Sequence, residues 1–233
     1  MKYLIGLAVA FSLFCLPEIA SAARNPHIDP NAEPTHDGLY RLKKAKLDAA
    51  WMRPEVDLSG YTKLWVQGAG FAFRPVEGSG SRYAARSGRD GEFPISEEDQ
   101  QKLQQVMREI FIEELGKIER YTLVDGPGPD VLILVGGVID VVSKVPPEPI
   151  GRGSIYLSSV GEATLVLELR DSETKAILAR VADRRAAEST YMQEANSVTT
   201  WSEVRRLAHT WGRLVVRRLN EVVGASQGVV EQE

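Results

Sequence analysis

The stretch Asp130-Val-Leu-Ile-Leu-Val-Gly-Gly-Val-Ile-Asp-Val-Val-Ser143 decides the fold. It is apolar on both alternating sets of positions, Val131, Ile133 and Val135 on one and Leu132, Leu134 and Val138 on the other. A strand with a wet face alternates, so this run predicts a central strand covered on both sides. Gly136-Gly137 in its middle predicts a bulge or sharp coil. Asp140 is the exception. A buried, unpaired carboxylate is costly, so it needs a partner or a place near the sheet rim. A raised pKa and a general-acid role are the functional alternative, and the ion-pair reading is preferred.

Working outward, Gly161 to Asp171 does alternate, with Ala163, Leu165, Leu167 and Leu169 on one face and Thr164, Glu168 and Arg170 sharing the other with Val166. Asp171-Ser-Glu-Thr-Lys175 reads as a turn, and Ala176 to Arg185 returns with Ile177, Ala179 and Val181 inward. Asp183-Arg184-Arg185 ends that strand, either as a charged partner-binding patch or as a solvated edge that deters further pairing; the edge is preferred. After a polar connection, Thr200-Trp-Ser-Glu203 has the form of a capping box that opens the last helix. Trp201, Val204, Ala208, Trp211, Val215 and Val222 form its buried stripe, and arginines 205, 206, 213, 217 and 218 line the other side.

Upstream, Thr62 to Phe73 predicts the first strand, bent at Gly68 and Gly70. The loop from Val76 to Pro94 carries Arg82, Arg86 and Arg89, three cations able to gather an anionic ligand, although most such loops are only solvated. Ser96 and Asp99 then cap a helix whose apolar positions, from Leu103 to Ile118, recur at three and four. Tyr121 to Val124 is a short strand, stopped by Asp125-Gly-Pro-Gly-Pro-Asp130. These elements predict an α+β domain: a mainly antiparallel sheet of about five strands with two helices packed on it.

The ends read differently. Residues 1–22 have the pattern of a signal peptide: Lys2, an apolar run from Leu4 to Leu16, and the small-x-small site Ala20-Ser21-Ala22, with cleavage expected between Ala22 and Ala23. The run is short for a membrane span and no second one follows. Lipidation at Cys15 is disfavoured by the bulky Phe14 before it. Cleavage after Ala22 removes the only cysteine, and with it disulfides and thiolate chemistry. Residues 23–50 are rich in proline and lack periodicity, so they predict a flexible lead; 51–223 form the single domain and 224–233 a flexible tail.

A formal net charge of −4 argues against nucleic-acid partners, which call for a basic surface. The three histidines are His27, His36 and His209, too few for a histidine metal cluster, so no metal or other cofactor is expected. No nucleophile elbow or metalloprotease motif occurs. Asp125, Asp130, Asp140 and Asp183 are the carboxylates from which a dyad would have to be drawn.

Arg53-Pro54, Asp57-Leu-Ser-Gly-Tyr-Thr-Lys-Leu64, Asp125-Gly-Pro-Gly-Pro-Asp130, Asp171-Ser-Glu-Thr174, Asp183-Arg-Arg185 and the Trp201 to Trp211 helix occur here in a telling order. In that order they resemble a bacterial envelope family, domain of unknown function 3313, over about Trp51 to Val222. The resemblance implies export, often with a lipid anchor, and carries no reaction or site residues. The expected function is that of a non-catalytic periplasmic or envelope-associated accessory or scaffold protein whose partner is another envelope component. A small anionic-ligand-binding module is the alternative, and a carboxylate-dependent hydrolase a third.

Overall fold

The apolar run lies in the interior of one sheet. The computed structural model describes residues 27–76, 91–146 and 154–221. Within them the order is β1 (Tyr40–Arg41), β2 (Ala49–Met52), β3 (Lys63–Phe73), α1 (Glu97–Leu115), β4 (Thr122–Val124), β5 (Val131–Ser143), β6 (Tyr156–Asp171), β7 (Ile177–Glu194) and α2 (Ser197–Glu221). The strands form one seven-stranded sheet in the order β1-β2-β7-β6-β5-β3-β4. The α+β class is as expected, and the sheet is larger than the five strands anticipated.

The two extra strands come from the stretch read as a flexible lead. β1 pairs with β2, and β2 pairs with β7 through Ala50 opposite Val181 and Trp51 opposite Arg180. Ile28 and Leu39 are buried. Arg180 donates to Asp37 at 2.5 Å, and Arg53 Nε to the carbonyl of Ile177 at 2.6 Å, which ties the segment down. Two strands this short have no readable periodicity, and β7, which anchors them through β2, lies more than a hundred residues away.

The sheet is mixed. Pairings from β1 to β5 are antiparallel, but β3 runs parallel to both β5 and β4. The cause is α1, which intervenes between β3 and β4 and returns the chain to the same end of the sheet, as parallel neighbours require. Ser96 caps α1 as expected, its Oγ accepting from Asp99 N at 3.2 Å. The start of α2 is corrected: Asn196 is the cap, its Oδ1 accepting from the amides of Val198 and Thr199 at 3.0 Å, and Thr200 falls inside the helix.

One core joins the helices to the sheet. Leu132, Leu134, Val138, Leu165, Leu167 and Leu169 meet Val106, Met107 and Ile110 of α1 and Ala208, Trp211, Val215 and Leu219 of α2. The helices cross closely where a Cβ at Gly212 would lie 2.7 Å from Glu114 Cγ and 2.8 Å from its Cβ. The opposite face is wetter. There Glu168 accepts from Arg180 Nε at 2.8 Å and from Arg170 Nε at 2.9 Å.

The bulge of β5 lies further along than expected. Toward β6, Gly136 and Gly137 keep regular register, while toward β3 the register shifts opposite them, between Gly68 and Gly70, where a bend was expected; Gly136 lets Leu167 approach, its Cδ2 2.9 Å from where a Cβ would be. Register breaks instead between Ile139 and Val142, where Asp140 and Val141 together oppose Ala163, and Asp140 has φ +57°. The extra residue switches the face of all that follows. Without it Asp140 would continue the core set Leu132, Leu134, Val138; with it, Val141 takes the core place.

Candidate functional site

The four candidate carboxylates are dispersed. Asp125 is exposed on its turn. Asp130 is held by Thr62 and by Lys63 Nζ at 3.0 Å. Asp183 is buried under α2, where it accepts from Trp211 Nε1 at 2.9 Å and Arg185 Nε at 2.6 Å. Asp140 receives Arg74 Nε on Oδ1 at 2.7 Å and Nη2 on Oδ2 at 2.6 Å. No two of them form a dyad. The hydrogen bonds and charge of Arg74 hold the Asp140 carboxyl below its ordinary range, the reverse of what a general acid needs.

Asp183-Arg184-Arg185 is neither a terminal edge nor one patch. β7 continues to Glu194, so the triplet is internal. Strand alternation turns Asp183 toward the helices, while Arg184 pairs with Glu162 on the other face and its amide donates to Asp48 at 2.7 Å. Arg82, Arg86 and Arg89, like the Ala22/Ala23 junction and Cys15, lie outside the described residues.

Sequence reasoning missed the hub at Arg74. Its guanidinium binds Asp140, Glu92 and Glu162 at once, joining β3, β5 and β6. Burial pushes the Glu162 carboxyl up, but the hydrogen bonds and charge of Arg184 and Arg74 outweigh it and leave it lowered. No local signal announces Arg74, because its partners are distant in sequence.

Three of the family motifs, Asp57–Leu64, Asp125–Asp130 and Asp171–Thr174, meet at the end of the sheet where β5 begins. Tyr61 Oη donates to Asp171 at 2.8 Å, and Ser172 Oγ to the carbonyl of Gly128 at 2.7 Å, with the Gly128 amide returning to Ser172 at 3.0 Å. Asp171 is kept low in pKa chiefly by the Thr174 amide. The groups in these contacts lock turns to one another, which is structural work.

A third cluster bridges the helices. Glu113, Glu114 and His209 bring ligand-type atoms within 4.8 Å of one another, and His209 Nδ1 lies 2.8 Å from Glu114 Oε1. Lys117 Nζ already lies between the carboxylates, 3.0 Å from Glu113 and 3.1 Å from Glu114. An ammonium there supplies the positive charge that a metal ion would bring.

What remains is a cavity of about 750 Å³ at the other end of the sheet, between the N-terminal halves of both helices and the end of β5. Its deeper wall is apolar: Phe71, Met107, Val138, Val141, Val204 and Trp211. Polar groups, among them Ser96, Asp99, Ser154, Glu194, Asn196 and Ser197, come from the helix starts and the strand ends. The bulge at Asp140 shapes this wall by turning Val141 into it. Volume and lining are those of a small-molecule pocket. The wall offers shape and apolar surface, and its polar end holds two serine–carboxylate contacts, Ser96 Oγ 3.0 Å from Asp99 and Ser154 Oγ 2.7 Å from Glu194, with no histidine, lysine or arginine among the described lining residues.

The family model described as "Protein of unknown function (DUF3313)" matches residues 35–215. No curated protein matches. Solved structures of similar outline include a Xanthomonas campestris protein of family DUF330, 15% identical over 72% of this chain and 89% of that one, TM-score 0.38. A neuraminyllactose-binding hemagglutinin homolog from Helicobacter pylori is 10% identical over 73% and 96%, TM-score 0.37. Rare lipoprotein B from Shewanella oneidensis is 12% identical over 73% and 100%, TM-score 0.29. No helix among the described residues is long and apolar enough to cross a membrane.

Proposed function

The chain belongs to the DUF3313 family of proteins of unknown function, and from its own geometry we propose that it is an exported, non-catalytic accessory protein of the bacterial envelope that works by binding. The observation that carries the binding role is the cavity, whose apolar inner wall and polar rim suit a bound small molecule rather than a reaction. Export is supported by residues 1–22, with their basic start, apolar run and Ala20-Ser21-Ala22.

Mass spectrometry of the protein from its native envelope tests both halves. A mature chain beginning at Ala23, carrying a non-covalent adduct released on denaturation, is the expected result. A chain retaining Met1 in the cytoplasm would overturn export, and turnover of envelope substrates by the purified protein would overturn the non-catalytic reading.

A further inference from the structure

The cavity also has a charge pattern. Among its described lining residues are three carboxylates, Asp99, Glu162 and Glu194, and no lysine or arginine. Glu162 is neutralised by Arg74 and Arg184. Among the described residues Asp99 and Glu194 are not: their carboxylates meet hydroxyls, Ser96 Oγ lying 3.0 Å from Asp99 and Ser154 Oγ donating to Glu194 at 2.7 Å. Both belong to the polar end of the cavity, near the helix starts, while the apolar groups lie toward the core. Thr200, on the same lining, adds a hydroxyl with no hydrogen-bond partner among the described residues.

We propose that the cavity holds one single-chain amphiphile with a cationic head, its chain against Phe71, Leu103, Trp201 and Val204 and its head between Asp99 and Glu194. This rests on the binding role proposed above and names its ligand class. An apolar body recovers the hydrophobic gain of the partly exposed Phe71, Leu103, Trp201 and Val204, which lie over the buried Met107, Val138, Val141 and Trp211. An anionic head would meet two unneutralised carboxylates, whereas a cationic head completes two ion pairs.

The test compares three probes that share a dodecyl chain, each below its micellar concentration: dodecyltrimethylammonium, dodecyl maltoside and dodecanoate. Trp201 and Trp211 line the cavity and Trp51 and Trp65 do not. In full-length Trp51→Phe/Trp65→Phe protein, versions brominated at the chain end therefore report insertion by quenching. Saturable quenching is expected with all three, with the ammonium bound about tenfold more tightly than the carboxylate, as two partly exposed ion pairs provide. Asp99→Asn/Glu194→Gln should erase that preference. Val204→Lys, which sets a charge on the apolar wall, should weaken binding of all three probes while the melting curve of the free protein shows the fold intact.

Dodecanoate binding as tightly as the ammonium, with quenching, would overturn the head-group assignment and leave the cavity as a binding site. Absence of saturable quenching by any probe would overturn both the ligand class and the binding role.

Discussion

Arg74 and Asp140 meet edge to edge, two parallel hydrogen bonds of 2.7 and 2.6 Å joining a residue just past β3 to the bulge of β5. The pair resolves the tension of a carboxylate within an apolar strand. The bulge carries Asp140 off the core face, and the guanidinium meets it there with geometry that lysine cannot match. Arg74→Met should therefore destabilise the protein by about 2 kcal/mol, discounted for the partial exposure of the network. Urea unfolding of the single variants and of Arg74→Met/Asp140→Ala should show strong non-additivity.

The same pair has a pH signature. Asp140 is lowered from its ordinary 3.8, so its contribution is complete above that value and is lost as pH falls through the lower folded-state value. Unfolding midpoints measured from pH 6 down to pH 2 should fall more steeply in the parent than in Asp140→Asn.

Tyr61 gives the opposite window. Burial, reinforced by its hydrogen bond to Asp171, pushes its phenol up to about 12. The group stays protonated in the fold while the unfolded chain ionises near 10, so stability is full below pH 10 and declines above it. Tyr61→Phe should flatten that decline in alkaline unfolding curves.

Glycine substitutions separate rigid from yielding contacts. At Gly161 a Cβ would lie 2.5 Å from the backbone oxygen of Val142, which cannot swing away. At Gly136 the obstacle is the Cδ2 end of Leu167 at 2.9 Å, a side-chain tip that can rotate. Gly161→Ala should cost about 3 kcal/mol and Gly136→Ala under about 1 kcal/mol, read from denaturation midpoints.

Gly212→Ala sets helix propensity against packing. Alanine gains about 1 kcal/mol in a helix interior. The clash with Glu114 Cβ should exceed this, because that atom is fixed to the α1 backbone, giving a net loss of about 1 to 2 kcal/mol. Glu114→Ala in the same chain should recover part of it, visible as coupling in a double-mutant cycle.

How much of this was legible follows the range of each interaction. Period-two alternation at Ala163 to Leu169 and three-four spacing at Val106, Met107 and Ile110 are local, and both elements formed where the pattern placed them. The cap at Ser96 was legible for the same reason. β1 and β2 were not, since Ala49–Met52 is a strand only because distant β7 offers it a ladder, and Tyr40–Arg41 only because β2 does. The burial of Asp183 was equally hidden, because its partner Trp211 comes from another element. The cavity could not be read at all. It is a space among residues that each look like ordinary core.

The turns that carry the family motifs and the hollow lined by Met107 and Trp211 occupy opposite poles of the sheet. Stitching is thus separated from the hollow. The hollow can be reshaped, by changing Val204 or recharging Glu194, without loosening a single knot at Tyr61, Gly128 or Ser172. A chain built this way can remodel one pole and keep its frame.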